Sequence, residues 1–251
     1  AREKKGSHAA WVLESILENA ALARRQDQPL CQDTGTLNFY FGVPLGFDTN
    51  AVVAATRAAV ARATRLGYLR QNTIDSVSGA AYETNVAPSA PVMEFRQGAR
   101  KSVDVRLILK GGGCENVGTQ YSLPDATLAA GRDLEGVRRC ILHAVHKAQG
   151  RGCAPGVVGV CIGGDRAAGM AHAKEQFLRR INDRSPVKVL AGLERRIMRE
   201  VQELGIGPMG LGGRTTALEV FIEAAPCHIA SLPAAVNIQC HSARHGYREF
   251  V

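Results

Sequence analysis

Apolar residues recur at helical spacing in several segments of the chain. The clearest segment is 8–25, in which one face carries Val12, Leu13, Ile16, Leu17, Ala20 and Ala21. Helices are also predicted over 49–66, 133–149, 165–181 and 185–205. In 49–66, Asn50 is the predicted N-cap and Gly67 the exit. In 185–205, Ser185 is predicted to cap, Pro186 to lie in the first turn and Gly205 to end the helix.

Six strand-like runs lie between these helices, at 36–43, 92–95, 103–109, 157–162, 217–222 and 234–240. Some alternate and others are uniformly apolar, which indicates strands buried to different degrees. Helices and strands do not alternate regularly. We therefore predict an α/β (α+β) fold, with mixed sheets flanked by helices and not a doubly wound parallel sheet. We expect one domain over residues 1–251, and the longest loop, 76–91, is expected to be functional.

Composition narrows the class of protein. The chain has 251 residues, 45% of them hydrophobic, and a formal net charge of +8. The basic residues are scattered and only 5% of residues are aromatic, so a small polyanion is favoured over nucleic acid as partner. No run of about 18 apolar residues is present, so no membrane span is expected. Glu14, Glu18 and Asn19 interrupt the N-terminal apolar stretch, which disfavours a secretory signal, and a cytoplasmic location is expected.

The seven cysteines point to a reducing compartment, because their number is odd and no export signal precedes them. No C-x-x-C occurs, which disfavours a zinc ribbon or a thioredoxin-type site. Cys31 opens a crowded polar segment, CQDT, just before a predicted strand. From the residues alone, Cys31 is a buried thiol, a nucleophile or a metal ligand.

Glycine clusters occupy 110–116, 160–169 and 204–216. The last contains G-x-G-x-x-G, but it follows a predicted helix and includes Pro208, so it does not match a dinucleotide-binding turn. Each cluster is either a tight turn or a stretch of backbone N–H groups open to an anion. The best candidate for an anion site is KGGGCEN, after the third predicted strand.

Six motifs occur in order along the chain: PLCQDTGT, YLRQN, KGGGCEN, GCAPGVVGVCIGG, LGIGPMGLGGRTTALEV and HIASLPAAVNIQC. In this combination, from about residue 8 to 245, the chain resembles the iron–sulfur-dependent hydro-lyases. These are class I fumarate hydratase and L(+)-tartrate dehydratase, and the resemblance is to their α subunit or N-terminal half.

The resemblance implies a [4Fe–4S] cluster held by Cys31, Cys153 and Cys240. Three protein ligands would leave one iron open to act as a Lewis acid on a 2-hydroxy acid. The chain reads CAPG at Cys153, where the family often has Cys-Pro-Pro. The resemblance assigns no ligand role to Cys114, Cys140, Cys161 or Cys227.

The same comparison implies the substrate site. Arg70 corresponds to an arginine that pairs with a substrate carboxylate, which suits a guanidinium fork. His228 and Asp33 are the implied catalytic residues, with an orienting or structural histidine as the alternative for His228. The implied substrate-binding residues are Gln32, Asp33, Arg70, Gly113 and Asn116.

The resemblance also implies a missing half. The second half of fused relatives carries a threonine-containing base motif, two arginines and a lysine, none of which has a counterpart here. We therefore expect a β subunit or C-terminal domain to complete the site, and a dimer. The expected reaction is the reversible dehydration of (S)-malate to fumarate, a step of the TCA cycle. GGRTTALEV favours this fumarase reading. L(+)-tartrate dehydration, favoured by GGGC, is the alternative, and a non-catalytic metal or thiol sensor is the distant one.

Overall fold

The computed structural model describes residues 3–250. It divides the chain into two compact units. Unit 1 contains the chain up to Gln26 together with Gly113–Ala243, and unit 2 contains Asp27–Gly112 together with the chain from Arg244. The prediction of a single domain stays a prediction, because a compact unit is not the same as a domain that folds on its own. No helix in the described range is long and apolar enough to cross a membrane.

Unit 1 is built on a four-stranded mixed sheet. Its strands are β4 (Thr119–Leu123), β5 (Gly156–Gly163), β6 (Ala217–Ala225) and β7 (Leu232–Gln239), in the order β4-β7-β5-β6. β5 is parallel to β6 and antiparallel to β7, which is antiparallel to β4. The helices of this unit are α1 (His8–Gln26), α4 (Leu134–Ala148), α5 (Arg166–Glu175) and α6 (Lys188–Glu203). A four-residue helix, α3 (Gly112–Glu115), lies where the chain enters the unit.

Helices cover both faces of this sheet. The main core joins α4 and α6 to one face, through residues such as Ile141, Ile197 and Val160. On the other face, Ala173 of α5 packs against Cys161 and Ala235. Every residue of β5 is buried. The loops at the two ends of β5 and β7 are therefore attached to a rigid, fully covered scaffold.

Unit 2 is built on a second four-stranded mixed sheet, in the order β2-β1-β3-β8. Its strands are β1 (Thr36–Pro44), β2 (Val92–Gly98), β3 (Val103–Lys110) and β8 (Arg244–Phe250), and its helix is α2 (Thr49–Arg65). β1 is parallel to β2 and antiparallel to β3, and β3 is antiparallel to β8. Phe41 of β1 stacks on Phe95 of β2, with ring centroids 4.9 Å apart.

The predicted fold class is confirmed: two mixed sheets are flanked by helices, and neither is doubly wound. Two predicted caps are wrong. Asp48, not Asn50, caps α2, and its carboxylate accepts the Asn50 N–H. α6 begins at Lys188, and the Ser185 hydroxyl accepts the N–H of Val187 before the helix starts. β4 and β8 were not predicted, because their mixed, largely polar sequences carry little apolar signal.

Candidate active site

Asp33 ties the CQDTG loop of unit 2 to the glycine-rich turn after β3. One carboxylate oxygen accepts the N–H of Gly35 at 2.9 Å, and the other accepts the N–H of Gly112 at 2.9 Å. Negative charge is favoured at such exposed backbone N–H groups. These two hydrogen bonds fix the segment that carries Cys31 and Gln32, and the catalytic and substrate-binding roles of Asp33 stay predictions.

Gly35 makes this arrangement possible. Its φ is +81°, and a Cβ at this position would lie 2.5 Å from the carbonyl carbon of Lys110 and 2.8 Å from the N atom of Gly111. A side chain fits neither the conformation nor the space. The CQDTG loop and the KGGG turn are therefore packed backbone against backbone at the end of β3.

Arg70 lies beside the same loop. Its Nη1 donates to Oε1 of Gln32 at 3.4 Å, and both side chains are exposed. Unit 2 therefore gathers four of the residues that the sequence singled out: Cys31, Gln32, Asp33 and Arg70. An exposed guanidinium next to an amide can form paired hydrogen bonds to a carboxylate.

Asn85, which the sequence reading missed, holds the segment that carries Arg70. It is 1% exposed, and its Oδ1 accepts the N–H groups of Asn72 and Thr73 at 3.0 and 3.1 Å. Its Nδ2 donates to the carbonyl of Arg70 at 2.9 Å. The 76–91 loop, predicted to be functional, contains Asn85 and so positions Arg70. The only sequence signal was an asparagine within a long loop, and asparagine is common in turns.

In unit 1, Cys153 stands in a left-handed turn between α4 and β5. Its φ and ψ are 53° and 57°, and its thiol side is partly exposed. The turn packs closely on the glycine-rich segment that follows α6: the Met209 N–H donates to the carbonyl of Ala154 at 2.8 Å. A Cβ on Gly150 would lie 2.3 Å from the carbonyl oxygen of Met209. The G-x-G-x-x-G segment is thus structural support for the Cys153 turn.

Glu3 fastens the other end of this segment. Its Oε1 accepts the N–H groups of Arg214 and Thr215 at 2.8 and 2.7 Å and the Thr215 hydroxyl at 2.6 Å. Burial raises the pKa of the Glu3 carboxyl, but the hydrogen bonds from Thr215 and Arg214 outweigh it and leave the pKa below its usual value. The GGRTT backbone is therefore an anion cradle that the chain fills with its own carboxylate.

Cys240 ends β7 directly beside the Cys153 turn. The residue after it, His241, donates its backbone N–H to the carbonyl of Cys153 at 3.3 Å and contacts the same oxygen through Nδ1 at 2.9 Å. Because a carbonyl oxygen only accepts, this contact places a proton on Nδ1. His241 therefore locks together the two segments that carry Cys153 and Cys240, a role that its sequence position did not indicate.

Gly113 and Asn116 lie at the same end of unit 1. A Cβ on Gly113 would lie 3.3 Å from the carbonyl oxygen of Arg151. The thiol of Cys114 donates to the carbonyl of Gly152 at 3.3 Å and is 2% exposed. Asn116 is exposed and, with Lys147 and Arg151, lines a cavity of about 110 Å³. The Cys114 thiol thus binds the residue directly before Cys153 and helps to hold that turn.

His228 is not brought to these residues within unit 1. It precedes β7, whereas Cys240 follows it, and eight residues at about 3.3 Å each separate the two ends by roughly 25 Å. The Nδ1 of His228 accepts the Ala230 N–H at 3.1 Å, so the neutral ring carries its proton on Nε2. Arg132, also unpredicted, holds this loop through the carbonyl of Ser231 at 3.0 Å.

The remaining cysteines lie in different surroundings. Cys140 and Cys161 are fully buried in the core of unit 1. Burial raises the pKa of the Cys140 thiol to about 11 and that of the Cys161 thiol to about 12. Metal ligation needs the thiolate, so the raised pKa values disfavour Cys140 and Cys161 as metal ligands. Cys227 is exposed, in the loop of His228.

The donor set at the Cys153 end of unit 1 fits a thiolate-bound iron–sulfur group. Two cysteines, the partly exposed Cys153 and the buried Cys240, lie on segments joined by hydrogen bonds and have polar neighbours. Within residues 3–250, no group of three or more His, Cys, Asp or Glu side chains is arranged to hold a single metal ion. An iron–sulfur cluster is larger than a single metal ion, and each of its ligated irons binds a separate thiolate.

The comparison with known families decides which family this site belongs to. The family model described as fumarate hydratase (Fumerase) matches residues 1–249. The chain belongs to the fumarate hydratase family. The resemblance read from the six motifs is thereby confirmed.

Individual relatives of this fumarate hydratase family member carry two names. A Geobacillus stearothermophilus protein named fumarate hydratase class I is 45% identical over 97% of this chain, which spans 48% of that relative. A Methanocaldococcus jannaschii protein named L(+)-tartrate dehydratase subunit alpha is 33% identical over 94% of this chain and 83% of its own length. The Escherichia coli K12 L(+)-tartrate dehydratase subunit alpha is 26% identical over 94% of this chain and 77% of its own length. The chain thus spans about half of the first relative and most of the α subunits.

Proposed function

We propose that this chain is the α-subunit-type half of a [4Fe–4S]-dependent hydro-lyase that interconverts (S)-malate and fumarate. The observation that carries the proposal is that Cys153 and Cys240 lie on segments joined by hydrogen bonds, in a chain that the fumarate hydratase family model matches over residues 1–249. The activity, the substrate and the cytoplasmic location are parts of this proposal.

Cys153, Cys240 and Cys31 are the proposed cluster ligands. The support is their surroundings: Cys31 and Cys153 are partly exposed, and the buried Cys240 has the Ser242 hydroxyl 2.9 Å from its sulfur. Cys140 and Cys161, by contrast, are buried within apolar clusters. When bound through three thiolates, the cluster supplies a Lewis-acidic iron that makes the substrate hydroxyl a better leaving group.

Arg70 and Gln32 are the proposed substrate contacts. Asn85 holds the backbone of Arg70, and the exposed guanidinium offers a positive charge to one carboxylate of a dicarboxylic acid. Gln32 adds an amide next to it. Asp33 is the proposed catalytic and substrate-contacting carboxylate beside them, and its two hydrogen bonds fix the orientation of the loop. Gly113 and Asn116 are proposed to contact the substrate from the Cys153 side of unit 1.

His228 enters this proposal through a second copy of the chain. β7 lies between His228 and Cys240 in the chain, and its eight residues span roughly 25 Å, so we propose that the histidine at each cluster comes from the other copy. In a symmetric dimer, each copy supplies to the other a residue that its own site lacks. The neutral tautomer, with the proton on Nε2, suits His228 to donate a hydrogen bond to the substrate.

A partner half is the remaining part of the proposal. The chain spans 48% of the fumarate hydratase class I relative, and two further relatives are named as α subunits. We propose that a β subunit or C-terminal half supplies the catalytic base and further carboxylate-binding side chains. The 45% identity to a fumarate hydratase, against 33% and 26% to tartrate dehydratases, favours malate over tartrate as substrate.

The test is anaerobic reconstitution of the chain with its partner half, followed by iron and sulfide analysis and by assays on malate, tartrate and fumarate. Replacing Cys31, Cys153 or Cys240 with Ser, one at a time, is expected to abolish the cluster. Cys140→Ala is the matched control and is expected to leave the iron content unchanged. A full cluster after any of the three ligand replacements would contradict the ligand assignment, and equal turnover of tartrate would contradict the substrate.

A further inference from the structure

Ser242 lies against the sulfur of Cys240. The Ser242 Oγ and the Cys240 Sγ are 2.9 Å apart, and the two residues are 5% and 6% exposed. In the thiol form, either atom can be the donor. A cysteine that ligates iron is a thiolate and has no proton, so only the serine hydroxyl can then donate.

A turn fixes this contact. The N–H of Ala243 donates to the carbonyl of Cys240 at 3.0 Å, which closes a four-residue β-turn over 240–243. His241 pins the same turn to the carbonyl of Cys153. These bonds fix the backbone that carries both residues and so keep Ser242 next to the sulfur of Cys240.

We propose that Ser242 is a positioning and tuning residue for the cluster: its hydroxyl donates a hydrogen bond to the thiolate of Cys240. The proposal rests on the proposed function, in which Cys240 is a ligand. Hydrogen bonds to the sulfurs are among the factors that set the reduction potential of an iron–sulfur cluster. The partial positive charge of the hydroxyl proton stabilises negative charge on the sulfur most in the reduced cluster, so the bond raises the potential. Burial strengthens this effect, because water does not compete for the sulfur.

The bond also has a consequence for retention of the cluster. Partners that hydrogen-bond to a ligand keep it oriented, and their loss typically costs about 10- to 100-fold in metal affinity. We therefore expect Ser242→Ala to lower the reduction potential and to speed cluster loss to a chelator about tenfold.

The experiment uses the chain reconstituted anaerobically with its partner half. The reduction potential is measured by a dithionite titration followed by electron paramagnetic resonance, and cluster loss is followed by absorbance after addition of EDTA. Ser242→Thr keeps the hydroxyl, and Ser242→Val has the shape of that threonine without the hydroxyl. Comparing these two variants therefore separates the hydrogen bond from packing. Ser185→Ala removes another buried serine of unit 1, far from Cys240 in sequence, and is the control for stability.

The expected result is that Ser242→Ala and Ser242→Val shift the potential downward and lose iron faster. Ser242→Thr and Ser185→Ala are expected to match the wild type. Equal potentials and equal loss rates for the Thr and Val variants would overturn the role of Ser242 while leaving the ligand assignment intact. A wild-type protein that takes up no cluster would instead overturn the proposed function, and this inference with it.

Discussion

The two units hold their candidate site residues by different means. In unit 2, polar side chains bind backbone groups: Asp33 holds the CQDTG loop, and Asn85 holds the segment of Arg70. In unit 1, the Cys153 turn is held by close backbone packing and by the end of β7, to which the His241 side chain joins it. The candidate residues of each unit are thus held by separate sets of contacts, so we expect damage to one set to leave the other intact.

The largest expected effect on stability comes from disturbing close backbone packing, which can be tested at one glycine in each unit. Gly35→Ala and Gly150→Ala place a Cβ within 2.5 Å and 2.3 Å of another backbone. We expect each to lower the free energy of unfolding by about 2 to 5 kcal/mol, from overpacking together with strain at Gly35. Urea unfolding of each variant measures the loss.

The controls for these variants are Gly46→Ala in unit 2 and Gly205→Ala in unit 1. Both glycines have positive φ but open space around the missing Cβ, so they report the cost of backbone conformation alone, about 1 kcal/mol. If Gly35→Ala cost no more than Gly46→Ala, the packing of the CQDTG loop on the KGGG turn would be of no energetic importance.

Asn85→Ala should damage unit 2 alone. The change leaves the N–H groups of Asn72 and Thr73 and the carbonyl of Arg70 without their partner, and we expect a loss of about 2 to 3 kcal/mol in unfolding free energy. With Arg70 misplaced, KM for malate should rise while the iron content stays normal. Asn182→Ala, at another residue of positive φ but on the surface, is the control. Loss of iron in Asn85→Ala would mean that the two units are not separable.

His241→Ala should damage unit 1 alone. Without the imidazole, the Cys153 carbonyl loses its 2.9 Å contact and keeps the longer backbone bond from His241, and we expect cluster retention to fall about tenfold. His241→Asn places a side-chain N–H near the position of Nδ1 and should restore most of the loss. Iron content after gel filtration is the measurement. Equal iron retention in the Ala and Asn variants would contradict a role of the His241 side-chain hydrogen bond in holding the cluster.

The smallest effect is expected at Glu3. Glu3→Gln weakens the carboxylate bonds to Arg214 and Thr215, and we expect a loss of about 1 kcal/mol at neutral pH. The pKa of the Glu3 carboxyl is lowered by folding, so its contribution is present above its usual pKa, near 4.5, and is lost as the pH falls through the folded value. Thermal unfolding should therefore show a larger difference between the two proteins at pH 7 than at pH 3.

Much of the fold could be predicted because its strongest signals are local. β5 is apolar throughout and α1, α2 and α4 have apolar residues at helical spacing, and all four were found within about two residues. β4 and β8 were missed since a strand with few apolar residues is recognised only from its neighbours. The start of α6 was misplaced because Ser185 accepts the N–H of Val187 within a turn, a bond that competes with a helix cap.

The sequence by itself determined the mixed α/β class, the six motifs and, through them, the family, because these depend on residue type and order. Only the tertiary structure decided which of those residues meet. In the structure, His241 next to Cys240 binds the carbonyl of Cys153, and Asn85 binds the carbonyl of Arg70. The strand β7 lies between His228 and Cys240. The physical reason is that such contacts depend on strand pairing and backbone packing between segments distant in the chain, for which no single residue carries a local signal.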